Sequence, residues 1–221
     1  MTGKTIEMTA SDGHHFSAYR ADPQGTPKGG VIIIQEIFGV NAHIRSVADQ
    51  YAAAGYVTIA PAIFDRIERD FEVGYEGADR DAAFAMFKKF DPMACMLDVA
   101  ATAKALKDTG KVAIVGYCLG GSMAFLAASQ VPEIDVAVGY YGSMIANHLD
   151  KAPKVPTMLH FGDQDHSIPM DKVEAVKAAF PDMPIYVYHA GHGFNRDVAP
   201  SYDAPSAKLA FERTLAFIEK A

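Results

Sequence analysis

Short apolar runs recur along the chain, separated by longer mixed segments. Residues 31–34 are a continuous β-branched run, the pattern of a strand covered on both faces. Residues 57–60, 112–115, 136–140, 158–161 and 185–188 have the same character. Upstream, residues 5–8 and 16–19 alternate around Ser11-Asp12-Gly13, which predicts an antiparallel hairpin. Helices are predicted over 44–54 (closed by Gly55), 79–90, 93–107, 119–129, 171–179 and 207–220. Strands alternating with helices predict an α/β fold with a mostly parallel central sheet of about eight strands and helices on both faces. One domain over residues 1–221 is expected, with no separate cap domain. Residues 64–77 are polar and read as a surface loop able to overhang a site.

Composition narrows the function. Half of the 221 residues are hydrophobic and 21% are charged, the balance of a globular protein. The net charge of -7 argues against a nucleic-acid or anionic-membrane partner. Two cysteines, Cys95 and Cys118, are too few for a disulfide framework. No apolar run has the length of a membrane span, and the start shows no apolar signal core. The expectation is a cytoplasmic protein, a monomer or weak homo-oligomer, without cofactor or metal. No pair of residues has the H-E-x-x-H type of ligand spacing.

The sharpest chemical signal is Gly116-Tyr117-Cys118-Leu119-Gly120-Gly121. It follows a predicted strand and opens an apolar helix, the setting of a nucleophile elbow with cysteine in the nucleophile position. Glycines are needed because side chains beside so tight a turn would strike the strand and helix. The helix N-terminus favours a thiolate there. Cys95 falls in an apolar stripe and reads as a core filler.

A thiol nucleophile needs a base, and the base needs an orienting acid. In an α/β-hydrolase the acid precedes the histidine, and both follow the nucleophile. Asp163 and Asp165 both lie after the run 158–161; Asp165 is favoured, Asp163 being suited to bracing the loop. His192 lies in a glycine-flanked loop after the run 185–188, beyond a strand end. His14, His15, His43 and His148 read as surface or loop residues. His160 and His166 could touch the site without being the base. The backbone amides of Leu119 and Ile37 are the candidate oxyanion donors. Glu36 is unusual, because a carboxylate between a buried strand and a catalytic loop must be paired, protonated or functional; the plain alternative is a salt bridge to a nearby arginine.

Together, Gln35-Glu36-Ile37-Phe38-Gly39-Val40-Asn41, the cysteine elbow, Asp163-Gln164-Asp165-His166 and Gly191-His192-Gly193-Phe194 resemble the dienelactone hydrolase (carboxymethylenebutenolidase) family. The similarity runs across nearly the whole chain. It implies an α/β-hydrolase fold, a Cys118–His192–Asp165 triad, and a carboxylic ester hydrolase acting in aromatic-compound degradation. It also implies that Glu36 contacts Cys118 and helps activate it, and that Arg80 and Arg196 hold a substrate carboxylate. Phe38, Phe84 and Tyr141 are expected to bind substrate as well. The chain departs from the family pattern at Phe84, Gly193 and Ala62, all less polar than the family's residues.

The expected reaction is therefore the opening of a carboxylate-bearing lactone or ester through an acyl-thioester, with Cys118 resting as a thiol against Glu36. The alternative is a broader carboxylesterase on small esters. A non-catalytic ligand-binding module is the third reading.

Overall fold

The computed structural model describes residues 3–221. Eight strands form one sheet: β1 (Lys4–Thr9), β2 (His15–Ala21), β3 (Gly30–Ile34), β4 (Val57–Pro61), β5 (Val112–Tyr117), β6 (Val136–Tyr140), β7 (Thr157–Gly162) and β8 (Ile185–Tyr188). Their order is β1-β2-β4-β3-β5-β6-β7-β8. The hairpin β1–β2 is antiparallel, β2 is antiparallel to β4, and the remaining pairs are parallel. This is the predicted α/β-hydrolase architecture.

The helices are α1 (Ala42–Ala53), α2 (Gly77–Phe87), α3 (Pro92–Leu106), α4 (Leu119–Gln130), α5 (Met170–Ala179) and α6 (Ala204–Lys220). Strand β3 shows how they cover the sheet. Val31 and Ile33 face a core shared with α1 and α6, while Ile32 and Ile34 face one shared with α3 and most of α4. All four are 0% exposed, so each contributes about 1.5–3 kcal/mol of burial. Among the described residues, no helix is long and apolar enough to cross a membrane.

Capping decides where the helices begin. Asn41 Oδ1 accepts from the Ile44 amide at 3.2 Å, and Asp91 Oδ1 accepts from the Met93 amide at 2.8 Å. Helix α6 begins three residues before the predicted start, because Asp203 caps it through the Ser206 amide (2.9 Å) and Pro205 fits the first turn.

Residues 64–76 form the expected surface loop, exposed at Glu68, Arg69, Asp70, Glu72 and Glu76, but its first residues turn inward. Phe64 is 1% exposed and meets Phe71 and Phe90 edge-on. Asp65 turns inward, accepting from the Ser17 amide and hydroxyl, both at 2.8 Å. The Val73 amide donates to the Phe38 carbonyl at 3.2 Å, which pins this segment onto the loop after β3.

The topology positions the site. From β3 the chain crosses one way to β4, then returns to β5 on the other side of β3. The loops leaving β3 and β5 therefore diverge and open a crevice at their carboxyl ends.

Candidate active site

Cys118 occupies that crevice between β5 and α4, with φ 55° and ψ -114°. Left-handed backbone at a non-glycine residue carries strain and persists only where the surroundings enforce it. The flanking glycines make it possible: a Cβ on Gly116 would run into the Gly120 carbonyl, and one on Gly120 into the Ile34 carbonyl. The Gly120 amide donates to the Gln35 carbonyl at 3.0 Å, tying the elbow to the loop after β3.

The Cys118 Sγ lies 3.1 Å from His192 Nε2. His192 Nδ1 lies 2.7 Å from Asp165 Oδ2. Asp165 Oδ1 accepts from the Ser167 and Ile168 amides at 2.8 and 3.2 Å, so both carboxylate oxygens are fixed. Asp165 is buried in the loop after β7, and His192 enters from the loop after β8. Burial pulls the His192 pKa down, but the facing Cys118 sulfur and the Asp165 carboxylate outweigh it and hold the imidazole up to about 10.

Of the two readings of Glu36, the structure shows the salt bridge to an arginine and not the contact with Cys118. Its carboxylate accepts a bidentate pair from Arg196, Nε at 3.0 Å and Nη2 at 2.9 Å. The Arg196 guanidinium also lies over the rings of Tyr75 (4.6 Å) and Phe38 (5.2 Å). Glu36 is 1% exposed, and a carboxylate that deep takes the cation its loop brings nearest. The resting partner of Cys118 is His192, not Glu36.

A cavity of about 440 Å³ opens over Cys118. Its wall includes Leu119 and Ile37, Phe38, Phe84 and Phe87, Tyr75, and both Arg80 and Arg196. Arg80 is exposed on α2, its guanidinium 5.6 Å from the Phe84 ring. Tyr141 is not on the wall: it is fully buried, packed against His192 with ring centroids 5.1 Å apart. Among the described residues, no group of three or more His, Cys, Asp or Glu is arranged to hold a metal ion.

Similarity to known proteins gives the family. The dienelactone hydrolase family model matches residues 16–221. The chain belongs to the dienelactone hydrolase family. It is 34% identical to the carboxymethylenebutenolidase of Pseudomonas putida, over 99% of this chain and 97% of that one. It is 32% identical to carboxymethylenebutenolidase 1 of Cupriavidus pinatubonensis, over 97% of this chain and 96% of that one. A Klebsiella pneumoniae structure provisionally assigned as a dienelactone hydrolase superposes with a TM-score of 0.82 at 27% identity, covering 100% of both chains. As a member of the dienelactone hydrolase family, the chain is a carboxylic ester hydrolase.

The other histidines are accounted for locally. His160 is buried, with Nδ1 2.8 Å from the Tyr188 hydroxyl and Nε2 3.1 Å from Thr214 Oγ1. Burial drives its pKa down to about 3, so it stays neutral. His43, expected at the surface, is instead buried on α1, and its Nδ1 lies 2.9 Å from Asp197 Oδ1 beside Arg196. Asp163 pairs with the exposed His189 at 3.1 Å. Sequence reasoning missed Tyr75, Phe87, Ser143, Ser167 and Ser201 on the cavity wall. For Tyr75 the only cue was its place in the stretch 64–77 that could overhang a site.

Proposed function

We propose that this enzyme opens a lactone or ester bearing a free carboxylate, with Cys118 as nucleophile and an acyl-thioester intermediate. The observation that carries the reading is the unbroken line Cys118 Sγ–His192–Asp165, with 3.1 and 2.7 Å links, at the floor of the cavity. The thiolate attacks the acyl carbon, and the Leu119 and Ile37 amides receive the oxyanion. Each such donor is worth about 3–4 kcal/mol in the transition state. The tetrahedral intermediate collapses, the acyl carbon–oxygen bond breaks, and His192 gives its proton to the departing alkoxide. In a lactone that alkoxide remains tethered to the acyl group. His192, now neutral and oriented by Asp165, takes a proton from water, and the hydroxide attacks the thioester. The acyl carbon–sulfur bond breaks, the carboxylic acid product leaves and releases its proton to solvent, and Cys118 and His192 return to their starting forms. Positioned proton transfer of this kind contributes about 10²–10⁴-fold.

The substrate carboxylate is anchored by Arg80 and Arg196, because guanidinium pairs with carboxylate in a two-pronged geometry. Arg80 is free to meet it at the cavity mouth. Arg196 is held by Glu36, so the incoming carboxylate competes with Glu36 for one fork. The chain works as one catalytic domain in the cytoplasm, and the dienelactone-to-maleylacetate type of opening is the reaction that fits this anchor.

A broader esterase is the second reading, favoured by the aromatic wall of Phe38, Tyr75, Phe84 and Phe87 and by the occupied Arg196. A hydrolysis panel of lactones and esters with and without a free carboxylate separates the two. The first reading expects Arg80→Ala to slow only the carboxylate-bearing members. Equal loss across the panel removes the anchor and leaves the esterase.

A further inference from the structure

Two side chains of the first turn of α1 reach residues that frame Arg196, and the mechanism above uses neither. Asn41 caps the helix through Oδ1 and donates from Nδ2 to the Tyr75 hydroxyl at 2.8 Å. Two residues on, His43 Nδ1 lies 2.9 Å from Asp197 Oδ1; the histidine side chain is 2% exposed and the aspartate side chain 46%. The Arg196 guanidinium lies 4.6 Å from the Tyr75 ring centroid, and Asp197 is the next residue in the chain. One contact therefore holds the ring that Arg196 stacks on, and the other holds the backbone that Arg196 hangs from.

Packing alone does not fix this frame. Tyr75 lines the catalytic cavity and also a surface hollow of about 420 Å³ that it shares with Asn41, His43, Glu72 and Asp79. A ring that borders open space twice depends on its hydroxyl for its place. Arg196 and Asp197 belong to the loop between β8 and α6. Its backbone bonds, from the Arg196 amide to the Gly193 carbonyl (2.9 Å) and from the Asp203 amide to the Phe194 carbonyl (3.0 Å), stay within the loop, so His43 supplies the tie to a helix. His43 Nε2 is buried without a partner among the described residues. That nitrogen is desolvated with no return, a cost an apolar side chain would avoid, so the bond from Nδ1 to Asp197 is what the imidazole contributes there.

We propose that Asn41 and His43 are positioning residues: the first turn of α1 clamps Tyr75 and Asp197, and the clamp sets where the Arg196 guanidinium stands in the cavity and how well it meets a substrate carboxylate. The inference rests on the anchor reading given above. An arginine side chain is rich in rotamers, and a frame that fixes it before binding lowers the entropy lost when a ligand is held.

Asp197→Ala is the test, because the side chain is 46% exposed and its removal opens no core. Turnover is measured on a matched pair, an aryl ester carrying a free carboxylate and its neutral methyl analogue. KM for the carboxylate ester should rise about tenfold, the size of one hydrogen bond to a charged group, with kcat kept and the neutral ester unaffected. Asp197→Asn still accepts from Nδ1 and should restore most of the loss. Tyr75→Phe keeps the stack, loses the tie to Asn41 and should act in the same direction as Asp197→Ala. In a His43→Phe background, Asp197→Ala should add little. Equal losses on both esters, or Asp197→Asn as poor as Asp197→Ala, overturn the proposal and leave a pair that only holds the fold. A KM for the carboxylate ester that falls with both Asp197 variants also overturns it, because Asp197 then acts on the anion through its charge alone. Failure of the anchor has its own signature: Arg80→Ala then slows both esters alike, and this inference falls with it. A selective Arg80→Ala beside an unselective Asp197→Ala strikes this inference alone.

Discussion

Replacing Arg196 by methionine isolates the buried pair at the heart of the site. Methionine approximates the length of the arginine stem but carries no charge. The substitution strands Glu36, 1% exposed, without either of its 2.9 and 3.0 Å donors. Breaking a buried pair from one side costs about 3–5 kcal/mol. Loss of the stacking on Tyr75 and Phe38, at 4.6 and 5.2 Å, adds about 1 kcal/mol. The expected loss is about 4–6 kcal/mol, a large share of the total stability of an ordinary domain. At about 2–4 °C per kcal/mol for a chain of this size, the midpoint should fall by about 10–20 °C. Urea unfolding followed by far-UV circular dichroism at pH 7.5 measures the free-energy loss, and thermal unfolding the midpoint. A second substitution decides the cause. Glu36→Leu together with Arg196→Met removes both charges, and a buried pair exchanged for apolar groups is near neutral, so most of the loss should return. A loss below about 1 kcal/mol in the single variant, or no recovery in the double, refutes the reasoning from a desolvated pair.

Further outcomes follow from the same geometry. Asp165→Asn should lower turnover by about 10³–10⁴-fold with little change in fold, because Nδ1 loses the acceptor that orients the ring; steady-state kinetics checks it, and a loss under tenfold counts against the assignment. The His192 pKa is raised from 6.5 to about 10, so the stabilisation it reports is fully present below about pH 6.5 and is lost as pH rises through 10. Imidazole NMR titration should find His192 still protonated at pH 8, and a midpoint near 6.5 would exclude the imidazolium. Gly193 has φ 77°, and a Cβ there would lie 2.7 Å from Arg196 Nη2. Gly193→Ala should therefore cost about 1–3 kcal/mol in urea unfolding. Cys95 is 0% exposed and burial pushes its thiol pKa far up, so a native chain should titrate one of its two cysteines with a thiol reagent.

Much of this was legible in the residues, and the reason differs by feature. The parallel strands declare themselves because a strand buried on both faces must be apolar throughout, as residues 31–34 and 112–115 are. That Cys118, His192 and Asp165 would come together is legible because elbow glycines and strand-end loops are local in sequence. The partner of Glu36 was not, since Arg196 is 160 residues away and only the fold chooses between it and Cys118. Tyr75 was hidden for the same reason: its role is to stack on Arg196 and accept from Asn41 Nδ2 at 2.8 Å, contacts no periodicity announces. His43 read as exposed because its acid, Asp197, comes from a distant loop. Helix α6 began early because its cap, Asp203, and Pro205 precede the apolar periodicity.

The central claim is covalent catalysis by Cys118, and rapid acid quench followed by intact-mass and peptide analysis tests it most directly. During turnover of an activated aryl ester, the account predicts a mass gain equal to the acyl group, mapped to the peptide containing Cys118 and absent in Cys118→Ala, which should also be inactive. An acyl adduct on another residue, or full turnover by Cys118→Ala, would contradict it.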